Sequence, residues 1–233
     1  MVNHCGAFGV SIWQKHEPKT FADIAFADDY TREDLYDYVQ YPQLTGNIIL
    51  EGGYGSGKTT IAKIIATERL NDSIYVYEIN GETWNSETLK TIENTVAIAR
   101  TNDEVAVVII NEVDRLKERQ YELRAFLEQY IGKLLVVMTT NHLGNIDGSI
   151  VDRSDVFYVR GFTPTKAVAL VQPLLRLYNI IIADADLENL FTRRLVADEE
   201  ELSLRQIGRV VDKLVLPNQV PPKNPTKPNL RAV

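Results

Sequence analysis

The stretch that decides the fold is GGYGSGKTT, which runs from Gly52 to Thr60. It fits the pattern G-x-x-x-x-G-K-[ST], which predicts a phosphate-binding loop between a strand and a helix. Glycines let the backbone curl so that successive N–H groups point inward at phosphate oxygens. We expect Lys58 to reach the β- and γ-phosphates of a nucleotide and the Thr59 hydroxyl to bind Mg²⁺. The residues predicted to bind the nucleotide are Gly52, Gly53, Tyr54, Gly55, Ser56, Gly57, Lys58, Thr59 and Thr60.

The segments around the loop predict an α/β protein with a parallel five-stranded sheet. Short apolar runs alternate with longer amphipathic stretches, as in strands connected by helices. The predicted strands cover residues 47–50, 74–79, 105–110, 134–139 and 156–159, and the predicted helices cover residues 58–70, 86–100 and 119–130. Runs that are apolar on both faces suit a sheet covered by helices. These flanks favour a phosphate loop over the alternative, a glycine-rich turn with a solvated lysine.

A change of character after Phe162 divides the chain. Thr163-Pro164 has the pattern of a helix N-cap followed by proline in the first helical turn. Strand patterns stop there, and helices are predicted at residues 166–178, 186–194 and 203–216. We therefore expect an α/β core over residues 1–162, a small all-helical lid over residues 163–216 and a disordered, proline-rich basic tail over residues 217–233.

The composition excludes several classes of protein. The 233 residues are 45% hydrophobic and 24% charged, which is typical of a soluble globular protein. Cys5 is the only cysteine, so no internal disulfide and no multi-cysteine metal site can form. We therefore expect a cytoplasmic protein, or a nuclear one if the source is eukaryotic and one of the host cytoplasm if it is viral. No apolar run approaches the roughly 18 residues that a membrane span needs, so we expect no membrane partner.

The charge distribution restricts how the chain can contact nucleic acid. The net charge is −7 at pH 7, and the tail contributes +3 through Lys223, Lys227 and Arg231, so that residues 1–216 carry −10. A body of this charge does not attract nucleic acid through bulk electrostatics. Any DNA contact must therefore come from a local basic surface or from partner subunits.

A second element ends an apolar strand in polar residues. The run VVIINE, from Val107 to Glu112, resembles a Walker B element. Parallel strands present their ends beside the phosphate loop, so we expect Asn111 to meet the metal and Glu112 to act as the general base or to position the attacking water. An amide at Asn111 replaces the usual aspartate, which predicts magnesium retention about ten-fold weaker. The alternative is a strand-ending turn with solvated polar side chains.

The chain as a whole, from Trp13 to about Leu216, resembles the AAA+ clamp-loader ATPases, of the replication factor C small-subunit type and its bacteriophage counterparts. The resemblance rests on three further stretches, which are WQKHEPKTF at residues 13–21, INEVDRL at residues 110–116 and QYELRAFLEQY at residues 120–130. It implies an AAA+ P-loop core with a helical lid, ATP and Mg²⁺ as cofactors, and a role in DNA replication. The implied partners are other clamp-loader subunits, a sliding clamp and primer-template DNA, contacted through its phosphate backbone.

The resemblance also implies roles for single residues. Asn141 falls where the family places sensor 1, which contacts the γ-phosphate or the attacking water. Arg153 falls at the arginine finger, which acts on a neighbouring subunit's nucleotide. Arg205 falls at sensor 2, which would reach the nucleotide from the lid. Asn80 is similar to an asparagine that restrains the catalytic glutamate, here Glu112.

Each of these roles has a simpler alternative. Asn141 would otherwise cap a loop, and Asn80 would be a turn residue. Arg205 would be a solvated helix arginine. The alternative for Arg153 is a surface ion pair with Asp152 or Asp155.

Three functions remain open at this level. The first is an ATP-hydrolysing clamp-loader subunit, whose interfacial chemistry predicts slow turnover by a monomer. The second is another AAA+ protein, a replication initiator or helicase loader. The third is a nucleotide-binding structural subunit that does not hydrolyse ATP, suggested by Asn111. Clamp-loader subunits continue into a helical collar, whereas here a proline-rich stretch follows Leu216, so truncation, a shortened gene or assembly through the ATPase cores all remain possible.

Overall fold

The computed structural model describes residues 11–70, 75–195 and 199–218. Cys5 and the tail from residue 219 onward lie outside these ranges, so the prediction of a disordered tail is not tested. The first residues of that predicted tail, within Leu216–Asn218, form a short 3₁₀ turn. Among the described residues, no helix combines the length and apolar character that crossing a bilayer requires.

A parallel five-stranded sheet forms the centre of the α/β core, as the sequence predicts. Its strands are β1 (Gly46–Glu51), β2 (Val76–Asn80), β3 (Ala106–Asn111), β4 (Leu134–Thr140) and β5 (Asp155–Tyr158). They lie in the order β2-β3-β4-β1-β5, and all neighbours are parallel. The predicted boundaries differ by one or two residues because apolar periodicity does not locate strand ends.

Nine helices are found among the described residues. They are α1 (Ile12–Lys15), α2 (Asp29–Gln40), α3 (Lys58–Arg69), α4 (Ser86–Thr101), α5 (Gln120–Gln129), α6 (Gly148–Val151), α7 (Pro164–Leu177), α8 (Asp184–Thr192) and α9 (Leu204–Val215). Helix α2 has no counterpart among the helices predicted from the sequence. This helix is mostly polar and buries only Leu35 and Tyr38, so its apolar stripe is short, although the Asp28 carboxylate caps its first turn by accepting from the Thr31 N–H at 2.8 Å.

The central strands are apolar on both faces because helices cover both sides of the sheet. In β3, Val107 and Ile109 face a cluster that includes side chains of α2 and α3. Val108 and Ile110 face the opposite cluster, which includes side chains of α4 and α5. This burial fixes the register of β3 and therefore the point at which its polar end emerges.

The helical segment after Phe162 has a hydrophobic core of its own, built from α7, α8 and α9 and joined by Ile12 of α1. The Thr163 side chain caps α7 and Pro164 occupies its first turn, as the sequence predicts, although the helix starts two residues earlier than expected. An antiparallel bridge between Phe162 and Leu202 closes the segment. Because Leu202 lies just before the start of α9, this bridge holds the start of α9 beside the end of the α/β core.

Candidate nucleotide-binding site

The loop Gly52–Lys58 connects β1 to α3 and requires glycine at defined positions. Gly55 and Gly57 have φ angles of +77° and +99°, in the left-handed region that favours glycine. A Cβ atom on Gly52 would lie 2.3 Å from the carbonyl oxygen of Val159. The glycines of the motif therefore allow both the curl of the loop and its close approach to the end of the sheet.

Lys58 lies at the first position of α3 and is 8% exposed. Its Nζ donates to the carbonyl oxygens of Gly52 and Gly53, each at 2.8 Å, and to Asn141 Oδ1 at 3.0 Å. Burial lowers the pKa of Lys58 to about 8, although nearby carboxylates, Glu51 first among them, act in the opposite direction. An anionic phosphate beside this amine would favour its charged form.

A cavity beside Lys58 is lined by most of the other residues predicted to bind the nucleotide. Its lining includes the loop from Tyr54 to Thr60, although the Tyr54 side chain is 62% exposed. Gly52 and Gly53 are not in that lining, and they contribute the carbonyl oxygens that hold Lys58.

A pair of oxygen atoms marks the predicted magnesium position. Thr59 Oγ1 donates to Asn111 Oδ1 at 3.0 Å, so the hydroxyl of α3 and the amide of β3 meet beside the phosphate loop. In the described part of the chain, no three His, Cys, Asp or Glu side chains gather as a metal cluster. Oxygen donors of this kind, completed by phosphate and water, fit Mg²⁺.

Glu112 follows β3 in a left-handed backbone conformation, with φ at +53°. Its N–H donates to the buried Thr139 hydroxyl at 3.1 Å. Its Oε2 accepts from Asn80 Nδ2 at 3.1 Å and pairs with Arg115 Nε at 3.0 Å. Two donors thus hold the predicted base. Arg115 is not among the predicted site residues, although its position three residues after Glu112 is a signal that could have found it.

Arg205 and the start of α9 lie against the phosphate loop. A Cβ atom on Gly55 would be 2.9 Å from Arg205 Cβ, and one on Gly57 would be 3.1 Å from a methyl group of Leu204. The loop, Glu112, Asn141 and Arg205 line one cavity of about 510 Å³.

The N-terminal segment forms another wall of this cavity and is tied to α9. Asp212 accepts from the Ser11 hydroxyl at 2.6 Å and from the Trp13 N–H at 3.3 Å. Trp13 also packs on Gly208, where an added Cβ would lie 2.6 Å from Trp13 Cγ. His16, in the same segment, is hydrogen-bonded to the Tyr178 hydroxyl. Burial lowers the pKa of His16, and the nearby charge of Lys15 lowers it further.

Arg153 lies apart from the residues that line the cavity. Its guanidinium donates to the carbonyl oxygen of Ser149 at 2.6 Å and pairs with Glu128 of α5 at 2.9 Å. An ion pair with Asp152 or Asp155 was the sequence-based alternative, and this choice of partner was wrong. The Arg153 side chain extends back along α6 toward α5, whereas Asp155 accepts from the Tyr38 hydroxyl on another side of the sheet.

The loop, the strand order and the cavity define a P-loop nucleotide-binding protein of the α/β class. Residues 48–162 match the family model described as ATPase family associated with various cellular activities (AAA). Residues 48–162 are thus similar to an AAA ATPase domain, and the chain has the α/β P-loop fold of AAA+ proteins, with a parallel five-stranded sheet.

Several curated proteins are similar to this chain. The mitochondrial Lon protease homolog of Candida albicans is 26% identical over 246 aligned positions, covering 88% of this chain and 22% of the relative. The sliding-clamp-loader large subunit of Enterobacteria phage T4 is 29% identical over 140 residues, covering 59% and 42%. The replication factor C small subunit of Thermoplasma acidophilum is 25% identical over 158 residues, covering 65% and 49%. The chain thus spans between about a fifth and a half of these relatives.

Two solved structures share the fold. A replication initiator DnaA bound to AMPPCP and single-stranded DNA superimposes with a TM-score of 0.64 and 14% identity, over 86% of this chain and 66% of that one. The RuvB Holliday junction branch migration motor of Thermotoga maritima gives a TM-score of 0.58 and 19% identity, over 86% and 64%. At these identities the likeness concerns the fold.

Proposed function

We propose that this chain binds and hydrolyses ATP as a subunit of a sliding-clamp loader that acts in DNA replication. The observation that carries the ATPase part is a single cavity lined by the phosphate loop, Glu112, Asn141 and Arg205. The similarity to a phage clamp-loader subunit and an archaeal replication factor C subunit supports the finer role.

The loop holds the triphosphate in this proposal. Backbone N–H groups at the start of α3 face the phosphates, and the helix dipole adds to their effect. Lys58 exchanges its contacts with loop carbonyls for phosphate oxygens, and Asn141 stays within reach of the same amine. Thr59 and Asn111 would hold Mg²⁺, which when bound neutralises charge that develops on the phosphates.

Hydrolysis depends on Glu112 and on a second copy or partner subunit. Glu112 orients the attacking water and accepts its proton once the contacts from Asn80 and Arg115 are released. Arg153 is exposed and remote from the cavity of its own chain, which suits a residue that acts on a neighbour's nucleotide. A lone subunit is therefore expected to turn over slowly.

In this proposal, nucleotide binding changes the position of the helical lid relative to the α/β core. Arg205 and Gly208 lie on α9, which contacts both the phosphate loop and the N-terminal segment. ATP that contacts Arg205 would draw the core and the lid together. Clamp and primer-template DNA would favour that state only if they bind it better than the open one.

The Lon similarity supports a second candidate function, the ATPase part of a protease, because that match covers 88% of this chain, although only 22% of the relative. The replication initiator or helicase loader and the non-hydrolysing structural subunit also remain as alternatives.

The deciding experiment measures binding of a fluorescent ATP analogue and ATP turnover, with the chain alone and with each class of effector. We expect binding by the chain alone and turnover that rises with protein concentration, with clamp and with primed DNA. Lack of binding at millimolar ATP would contradict the proposal, as would fast turnover independent of concentration. Stimulation by unfolded protein alone would select the Lon-like function. Capture of a helicase without a clamp would select the helicase loader, and binding without turnover under all conditions would select the structural subunit.

A further inference from the structure

Glu78 of β2 belongs to a hydrogen-bond network that reaches the predicted magnesium position. Asn111 Nδ2 donates to Glu78 Oε1 at 2.9 Å, and Glu78 Oε2 pairs with Lys63 Nζ at 3.0 Å. Lys63 lies one helical turn after Thr59 on α3, so the chain of contacts runs from Thr59 through Asn111 and Glu78 back to the same helix. None of the roles assigned so far uses Glu78.

The network determines which atom of the Asn111 amide faces Thr59. An amide has one oxygen that accepts and one nitrogen that donates. Asn111 Oδ1 accepts from the hydroxyls of Thr59 at 3.0 Å and Thr139 at 3.2 Å. A flipped amide would place its oxygen against the Glu78 carboxylate, where neither atom carries a hydrogen. Glu78 therefore holds the metal-binding atom, the oxygen, toward Thr59.

Charge gives the same network a second effect. An aspartate at position 111 would put two carboxylates within 2.9 Å of each other, since Glu78 Oε1 is that far from the amide nitrogen. With asparagine present, the negative charge lies one hydrogen bond further from the metal position, on Glu78. Carboxylates that hydrogen-bond to a metal ligand in this way raise its metal affinity.

We propose that Glu78 is a positioning residue for magnesium, which orients the Asn111 amide and supplies the negative charge that this amide lacks. This inference rests on the proposed nucleotide site. In this proposal Glu78 compensates for the asparagine in the Walker B position, so that the nucleotide site would still hold Mg²⁺.

The test measures metal binding and nucleotide binding separately in the full chain. Fluorescent ADP is titrated in EDTA, which reports on the phosphate loop without metal. Mn²⁺, as a probe for the magnesium position, is then titrated onto the ADP-saturated chain, and its dissociation constant is obtained from the EPR signal of free Mn²⁺. Neither readout depends on hydrolysis.

Substitution of Glu78 is expected to weaken metal binding alone. Glu78→Ala should raise the Mn²⁺ dissociation constant roughly ten- to a hundred-fold and leave ADP affinity in EDTA unchanged. Glu78→Gln keeps an acceptor for Asn111 and should give a smaller increase. An unchanged Mn²⁺ dissociation constant in Glu78→Ala would overturn the proposal.

Lys63→Ala is the matched control, because it removes the ion pair and keeps the carboxylate. Lys63 is 53% and Glu78 39% exposed at the side chain, so a purely structural surface pair is the competing explanation. We expect Lys63→Ala to leave Mn²⁺ binding within about two-fold of the wild type, or to strengthen it. A loss equal to that in Glu78→Ala would mean that Glu78 acts through Lys63, and would overturn the proposal.

A charge swap makes the test independent of simple damage. In N111D the two carboxylates repel each other, whereas in the double variant N111D/E78Q the introduced glutamine donates to the introduced aspartate. The melting temperature is measured in both backgrounds: E78Q should raise it in N111D, and should leave it unchanged or lower it in the wild type, where Mn²⁺ binding should also weaken. The same effect of E78Q in both backgrounds would exclude coupling between these positions.

The same measurements distinguish a failure of the proposed function from a failure of the role of Glu78. If the wild-type chain binds no ADP in EDTA or in Mn²⁺, the proposed function fails and the role of Glu78 fails with it. If ADP binds and the Mn²⁺ dissociation constant is indifferent to position 78, only the role of Glu78 fails.

Discussion

Replacing Lys58 with methionine should remove a pH dependence of stability that the buried amine creates. The pKa of Lys58 is lowered from 10.5 to about 8 in the folded chain, mainly by burial. For a basic group with a lowered folded pKa, the unfolded chain binds more protons between these two values, so stability rises with pH across that window. A difference of about 2.5 pKa units at 1.36 kcal/mol each corresponds to about 3 kcal/mol.

The assay compares urea unfolding of the wild type and Lys58→Met at several pH values from 7 to 10.5. Below pH 8 the difference in free energy of unfolding should be constant, since the amine is charged in both states. From pH 8 to 10.5 the wild type should gain about 3 kcal/mol relative to the variant, which does not titrate at this position. A difference that stays within about 0.5 kcal/mol across the range would refute a buried amine with a lowered pKa.

ATP binding provides an independent check of the same pKa. A triphosphate beside Lys58 should raise the pKa of its amine, so binding at pH 8 should take up about half a proton, since about half of the free chains are then deprotonated at Lys58. Calorimetry in two buffers of different ionisation enthalpy measures this uptake. No uptake between pH 8 and 9 would mean that Lys58 does not meet the phosphates.

Three further substitutions test other parts of the site. Asn80→Ala removes a hydrogen bond to the Glu112 carboxylate, and turnover without effectors should rise by about ten-fold, as measured by phosphate release; a fall would mean that this contact aids catalysis. Arg153→Ala should lower turnover in the assembled state about a thousand-fold while a nucleotide titration of the single chain is unchanged; equal turnover would remove the arginine-finger role. Gly208→Val should force Trp13 from α9 and destabilise the chain by about 1–3 kcal/mol in thermal unfolding, and an unchanged melting temperature would contradict this packing.

The sheet and the loop were predictable because local sequence dictates them. Glycine spacing before Lys58 prescribes a backbone curl, and strands buried on both faces leave a continuous apolar signal. Helix α2 gave no such signal, because only Leu35 and Tyr38 of its side chains are buried. The position of α2 depends on the surface of the core against which Leu35 and Tyr38 pack, and a local sequence pattern does not describe that surface.

The partners of the site residues were less predictable than the residues themselves. Asn111 and Glu112 stand out at the end of an apolar run, but the contacts from Glu78 and Arg115 come from β2 and a later turn. Arg153 shows the same limit, since its two neighbouring aspartates are closer in sequence than Glu128 and yet do not pair with it. Sequence proximity does not give side-chain direction.

Helix α9 meets the loop and the N-terminal segment through Arg205, Gly208 and Asp212, which recur about once per turn and so lie along one stripe. Twelve residues at 1.5 Å per residue make a rod about 18 Å long. A tilt of about 10° about its N-terminal end would carry the far end through about 3 Å, so a sub-ångström adjustment at Arg205 becomes a displacement of several ångströms at Val215. A rigid helix of this kind can transmit a small movement at the phosphate loop to its far end without a flexible segment in between.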